Sequence, residues 1–135
     1  MSGCILIVDD NNVDLKLQSE LLQLAGFDTH SAADAECAQS LLRTMIPDLI
    51  LMDIALPGMD GLQLTRLIKA DPRLRHVPVI ALTAYAMKGD DRMAIDAGCD
   101  AYITKPIDTR RFPGQIGGVL RAAQIKPVSG PPAPR

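Results

Sequence analysis

The chain has 135 residues, with 14 Lys and Arg against 16 Asp and Glu for a formal charge of −2. That length holds one ordinary domain and is short for two, and 47% hydrophobic with 22% charged residues is a globular composition. No basic stripe or aromatic platform suggests nucleic acid, and no apolar run reaches the ~18 residues of a membrane span.

In chain order, Cys4–Val8 is a continuous β-prone run, as expected for a strand buried on both faces. Residues 12–25 place Val13, Leu17, Leu21 and Leu24 on one helical stripe that ends at Gly26. Residues 27–31 alternate weakly and suit an edge strand. A second helix is expected over 34–45, with Ala35, Ala38, Leu41, Leu42 and Met45 apolar and Pro47 as its stop. Asp48–Met52 is a strand. Residues 61–70 form a helix carrying Leu64, Leu67 and Ile68. Residues 77–82 are a strand with Pro78 tolerated near its start. A helix over 87–97 ends at Gly98, a short strand covers 101–104, and a glycine-rich helix covers 109–123.

Five βα units imply an α/β fold with a parallel sheet flanked by helices. The flavodoxin-like order 2-1-3-4-5 is the expected one, with chemistry at the carboxyl ends of the strands near the switch point. Residues 1–125 form the expected domain. Residues 126–135 hold four prolines and a glycine and are expected as a disordered tail. Cys4, Cys37 and Cys99 form no CxxC pair and read as free thiols in a reducing compartment. With no signal-peptide pattern, a cytoplasmic location is expected.

Polar residues gather just past the strands: Asp9 and Asp10 after the first, Asp53 after the third, Thr83 after the fourth and Lys105 after the fifth. In this strand order three carboxylates crowd one crevice. Two like charges at about 4 Å repel by about 4 kcal/mol at an effective dielectric near 20, so the set needs a cation. Lys105 offsets one charge, and Mg²⁺, which takes few carboxylates, several waters and a phosphate oxygen, suits the remainder. A carboxylate can attack phosphorus to form an acyl phosphate. Asp53 is the best nucleophile candidate because its strand is central. Lys105 and the metal would neutralise the transferring group, and the Thr83 hydroxyl would donate to a phosphoryl oxygen.

The blocks ILIVDDN (5–11), DLILMDIALPGMDG (48–61), ALTA (81–84) and YITKP (102–106) resemble response-regulator receiver (CheY-like) domains. Within that family they look like stand-alone DivK-like receivers and hybrid histidine kinase receivers. AMKGDDR (86–92) and AGCD (97–100) point the same way. The resemblance implies that Asp53 is the phosphoacceptor of a two-component phosphorelay. It implies that Asp10, Asp53 and the Ala55 carbonyl bind Mg²⁺, or Mn²⁺ in its place, and that Asp9 holds a metal-bound water. Lys105 would pair with the phosphoryl group and precede a cis Pro106. Thr83 and Tyr102 would form the switch. The domain would be a signalling module rather than an enzyme, one that assists its own phosphorylation and slow dephosphorylation.

Plainer roles attach to Asn11 as a helix cap, Gly58 and Gly61 as loop glycines, and His30 and His76 as structural or solvent-facing residues. Phe112-Pro113-Gly114 and Gly117-Gly118 are poor helix formers. The last helix therefore starts near Pro113 or has a distorted first turn, and the face it shares with helix 4 and strand 5, through which receivers often dimerise, is in question. Three rival readings stand beside this one, and the residues argue against each. A haloacid-dehalogenase-type phosphatase needs a D-x-D pair after strand 1, a flavodoxin needs a hydroxyl-rich phosphate loop there, and an inert receiver-shaped module has no use for the intact Asp, Thr and Lys set.

The expected partners are a histidine kinase or histidine phosphotransfer protein and a downstream protein target, with the chain itself a monomer or weak dimer. No output domain is expected after residue 123. Docking is expected on helix 1 and the loop after strand 5, with Gln18 and Gln23 on the exposed face of that helix.

Overall fold

A computed structural model of the chain describes residues 3–56, 58–83 and 90–125. The elements are β1 (Cys4–Val8), α1 (Asn12–Leu24), β2 (Asp28–Ala32), α2 (Ala35–Leu42) and β3 (Leu49–Asp53), followed by α3 (Gly61–Ala70), β4 (Val79–Thr83), α4 (Asp90–Ala97), β5 (Ala101–Thr104) and α5 (Phe112–Ile125). All strand pairs are parallel and the order is β2-β1-β3-β4-β5. The expected fold class is observed.

Alternate residues of the central strands point to opposite faces, and each face is covered. Leu6, Val8, Ile50, Met52, Val79 and Ala81 pack with the inner sides of α2, α3 and α4. Ile5, Ile7, Leu49, Leu51, Ile80 and Leu82 pack with Leu22 of α1 and with Phe112, Ile116 and Leu120 of α5. Every residue of β3 and β4 is buried, whereas the edge strands β2 and β5 are partly open.

The stripe expected on α1 does not face the core. Val13 is 76% and Leu24 86% exposed, and Leu17 is also exposed. The buried residues are Leu22 and Gln18, with Leu15, Leu21 and Ala25 partly buried beside them. Leu21 and Leu22 give α1 two competing stripes. The one that docks carries a glutamine, contrary to the expectation of an exposed Gln18, because Asp9 supplies its amide with a partner. Gln23 is exposed as expected, its amide tied to Ser19 and Thr29.

Helix α2 is shorter than expected. Asp34 is its N-cap and accepts from the Cys37 amide, and Arg43, Thr44 and Met45 leave through turn hydrogen bonds. Residues 87–89, expected in α4, and 126–135, expected as a tail, lie outside the described residues.

Helix α5 is continuous despite its glycines. The Asp108 carboxylate accepts from the Arg110 and Arg111 amides, and its carbonyl accepts from Phe112 at 2.8 Å, so the chain is already turning when the helix begins. Pro113 falls in the first turn, where no amide is needed. Phe112 is fully buried, which anchors that turn by about 1.5–3 kcal/mol.

Candidate functional site

Three backbone hydrogen bonds set the rim of the site at the carboxyl end of the sheet. Asp9 N donates to the Ala32 carbonyl, Ile54 N to Leu82 and Lys105 N to Thr83, at 3.0, 3.1 and 2.7 Å. Asp53 and Thr83 are the last residues of β3 and β4 rather than the first beyond them. Both side chains are buried, as is Asp9, while Asp10 is exposed. Asn11 caps α1 by accepting from the Val13 and Asp14 amides, which starts the helix right beside the acidic pair.

The expected residues converge. Oxygens of Asp9, Asp10 and Asp53 lie within 4.8 Å of one another. Lys105 Nζ reaches Asp9 Oδ2 at 3.0 Å, Asp14 Oδ2 at 3.2 Å and Asp53 Oδ2 at 3.4 Å. Asp53 Oδ1 accepts from the Ala55 amide at 3.0 Å, which fixes the carboxylate plane and brings the Ala55 backbone to the pocket. The Lys105-Pro106 bond is cis, as expected. Tyr102 points outward at 42% exposure.

The loop after β3 folds back through Gly61, whose amide donates to the Ile54 carbonyl at 3.1 Å. A Cβ there would lie 2.3 Å from the Asp53 carbonyl oxygen, so α3 can begin this close to the site only with glycine. A capping box between Asp60 and Gln63 stabilises that start.

Burial pushes the Asp53 carboxyl above its ordinary value. The Ala55 amide and Lys105 oppose the shift, and the Asp9 charge adds to it. Burial works to lower Lys105, but the hydrogen bonds and charges of Asp9, Asp53 and Asp14 prevail and push it up to about 12. Three carboxylates thus share one ammonium, and Asp10 stands beside them without it. The oxygen-only donor set, its excess negative charge and the exposed Asp10 flank fit a hard divalent cation carrying waters.

Two further residues join the site. Asp14 joins it through Lys105, and Gln18 through a 3.1 Å hydrogen bond from its Nε2 to Asp9 Oδ2. Their spacing of four places both on one side of α1, but nothing local in the sequence shows that this side meets Lys105.

Fold and site together define a small doubly wound α/β domain whose strand ends carry an acidic, lysine-bridged pocket. The response regulator receiver domain family model matches residues 5–116, and the chain belongs to that family. It is 46% identical over 112 residues to the polar-differentiation response regulator DivK of Brucella ovis, covering 83% of this chain and 91% of that one. Its fold is similar to the CheY-like receiver domain protein of Methanospirillum hungatei, with a TM-score of 0.83, 29% identity and coverage of 92% and 98% of the two chains. It is similar also to the receiver domain of a Syntrophus aciditrophicus signal transduction histidine kinase, with a TM-score of 0.83, 30% identity and coverage of 98% and 99%. The chain is therefore a response regulator receiver domain of two-component signalling, a signalling family rather than an enzyme family. Among the described residues no helix is long and apolar enough to cross a membrane.

Proposed function

We propose that Asp53 is the phosphoacceptor and that it takes its phosphoryl group from a phosphohistidine. The observation that carries this reading is the position of Asp53: a buried carboxylate, 3.4 Å from an ammonium and grouped with two further carboxylates. An Asp53 carboxylate oxygen attacks phosphorus, the P–N bond of the donor breaks, and the imidazole leaves with the electron pair and takes up a proton. Lys105 moves onto the phosphoryl oxygens. Thr83, buried beside it at the end of β4, donates its hydroxyl to them. Asp10, Asp53 and the Ala55 carbonyl would hold Mg²⁺, or Mn²⁺ in its place, with Asp9 on a bound water. The cation supplies charge neutralisation of the transferring group. The same residues assist the slow loss of the phosphoryl group to water.

Tyr102 is the outward-facing half of the proposed switch, and it turns inward as Thr83 moves toward the phosphoryl group. Residues 1–125 act as the receiver unit, and 126–135 as a tail without a part in the chemistry.

The donor docks along α1 and the loop after β5. A groove of about 350 Å³ there is lined by Asp14, Leu17, Gln18, Lys105, Pro106 and Ile107. With Gln18 buried, the contact surface is the exposed apolar pair Val13 and Leu17.

The test uses a phosphorylated histidine phosphotransfer protein and, separately, acetyl phosphate, each with Mg²⁺, followed by intact mass. Wild type should gain one phosphoryl group from both donors and Asp53→Asn from neither. Leu17→Asp should slow transfer from the protein donor at least tenfold and leave acetyl phosphate labelling unchanged. No mass gain in wild type refutes the function, and equal slowing with both donors refutes the docking surface.

A further inference from the structure

Gln18 is a polar side chain at 1% exposure on the core-facing side of α1, one turn from the fully buried Leu22. Its Nε2 donates to Asp9 Oδ2 at 3.1 Å, and the same oxygen accepts from Lys105 Nζ at 3.0 Å. The other end of the amide, Oε1, is buried and has no hydrogen-bond partner among the described residues. Reversing the amide would press Oε1 against the Asp9 carboxylate, so its orientation is dictated by Asp9. A buried amide half-satisfied in this way is costly where an apolar side chain would simply pack.

Among the described residues, the three holds on the Asp9 carboxylate differ in kind. Asn11 N donates to Oδ1 at 2.9 Å from the backbone, and Gln18 donates to Oδ2 from a packed helix. Lys105 sits on a flexible stem and is shared with Asp14 and Asp53. A phosphoryl group on Asp53 adds negative charge and draws the ammonium away from Asp9. Among the described residues, Gln18 is then the remaining side-chain donor on Oδ2. Being neutral, it orients the carboxylate without competing with a cation for it.

We propose that Gln18 is a positioning residue of the acidic pocket, a neutral clamp that keeps Asp9 oriented toward the cation when Lys105 moves to the phosphoryl group. This rests on the reading of Asp53 as phosphoacceptor.

The test compares wild type with Gln18→Met and Gln18→Leu, apolar side chains that fill the buried position. Three quantities are measured on the full chain: Tm in chelator, the Mg²⁺ Kd, and the affinity for beryllofluoride in saturating Mg²⁺. Both variants should keep or raise Tm, because the orphaned amide oxygen is gone. Their Mg²⁺ Kd should rise about tenfold, the usual scale for removing a group that orients a metal ligand. The loss of beryllofluoride affinity should be larger still, since Lys105 has then left Asp9. A Mg²⁺ Kd within twofold of wild type in both variants overturns the assignment. So does weaker Mg²⁺ binding that appears only together with a lowered Tm, which repacking of α1 would produce. If wild type binds neither Mg²⁺ nor beryllofluoride, the phosphoacceptor reading fails and takes the clamp with it.

Discussion

Replacing Asp53 by Asn should stabilise the metal-free protein. Its oxygens lie within 4.8 Å of those of Asp9 and Asp10, and Lys105 Nζ is 3.4 Å away. At an effective dielectric near 20 each repulsion is about 3.5 kcal/mol and the attraction about 5 kcal/mol, which leaves about 2 kcal/mol unfavourable. Asp10 is exposed and partly screened, so the expected gain is about 1–2 kcal/mol, or about 4–7 °C in Tm for a domain of this size. Asn preserves the acceptor that Ala55 N uses.

The pH dependence has a definite sign. Because burial raises the Asp53 pKa in the folded state, wild type loses stability as pH rises from the ordinary carboxylate range through that raised value. The Asn variant lacks this loss, so its advantage should be small in acid and grow toward neutrality. The assay is urea unfolding in chelator across that range, repeated with Mg²⁺. At a hundred times its Kd, Mg²⁺ should add about 2.7 kcal/mol to wild type, and much less to the variant. A variant as stable as wild type at neutral pH in chelator, or less stable, refutes the charge-crowding reasoning.

Three further outcomes follow from the geometry. Lys105→Met should destabilise the fold by about 1–3 kcal/mol, since Asp9 is fully buried and loses its ammonium, and should slow acetyl phosphate labelling at least 100-fold, as removal of a single charge-stabilising group does. Gly61→Ala should cost at least about 2 kcal/mol and slow phosphorylation, because the new Cβ forces the Asp53 backbone to move; thermal melts and labelling rates check both. Gly114→Ala and Gly118→Ala should each stabilise by up to about 1 kcal/mol, as a Cβ at either position meets open space in a formed helix.

The sheet and the acidic pocket were legible for different reasons. Continuous apolar runs announce β1, β3 and β4 because those strands are buried on both faces, and the parallel alternation then brings Asp9, Asp10, Asp53, Thr83 and Lys105 to one end. The docking face of α1 was not legible. Its two stripes have nearly the same spacing, and the choice between them depends on Asp9 meeting Gln18, a contact no periodicity encodes. The role of Asp14 was hidden likewise, since its partner lies 91 positions away. In α5 the first of the two expected alternatives holds, with the helix starting next to Pro113 and running on through its glycines. Weak local propensity is overridden by the burial of Phe112, Ile116 and Leu120 against the sheet.

The central claim is that Asp53 alone carries the phosphoryl group and needs a divalent cation to receive it. Its most direct test is incubation with acetyl phosphate in Mg²⁺ or in chelator, followed by borohydride reduction of the acyl phosphate and tandem mass spectrometry. Reduction should appear at position 53 only, and only in Mg²⁺. Reduction at Asp9 or Asp10, or equal labelling in chelator, would contradict the account.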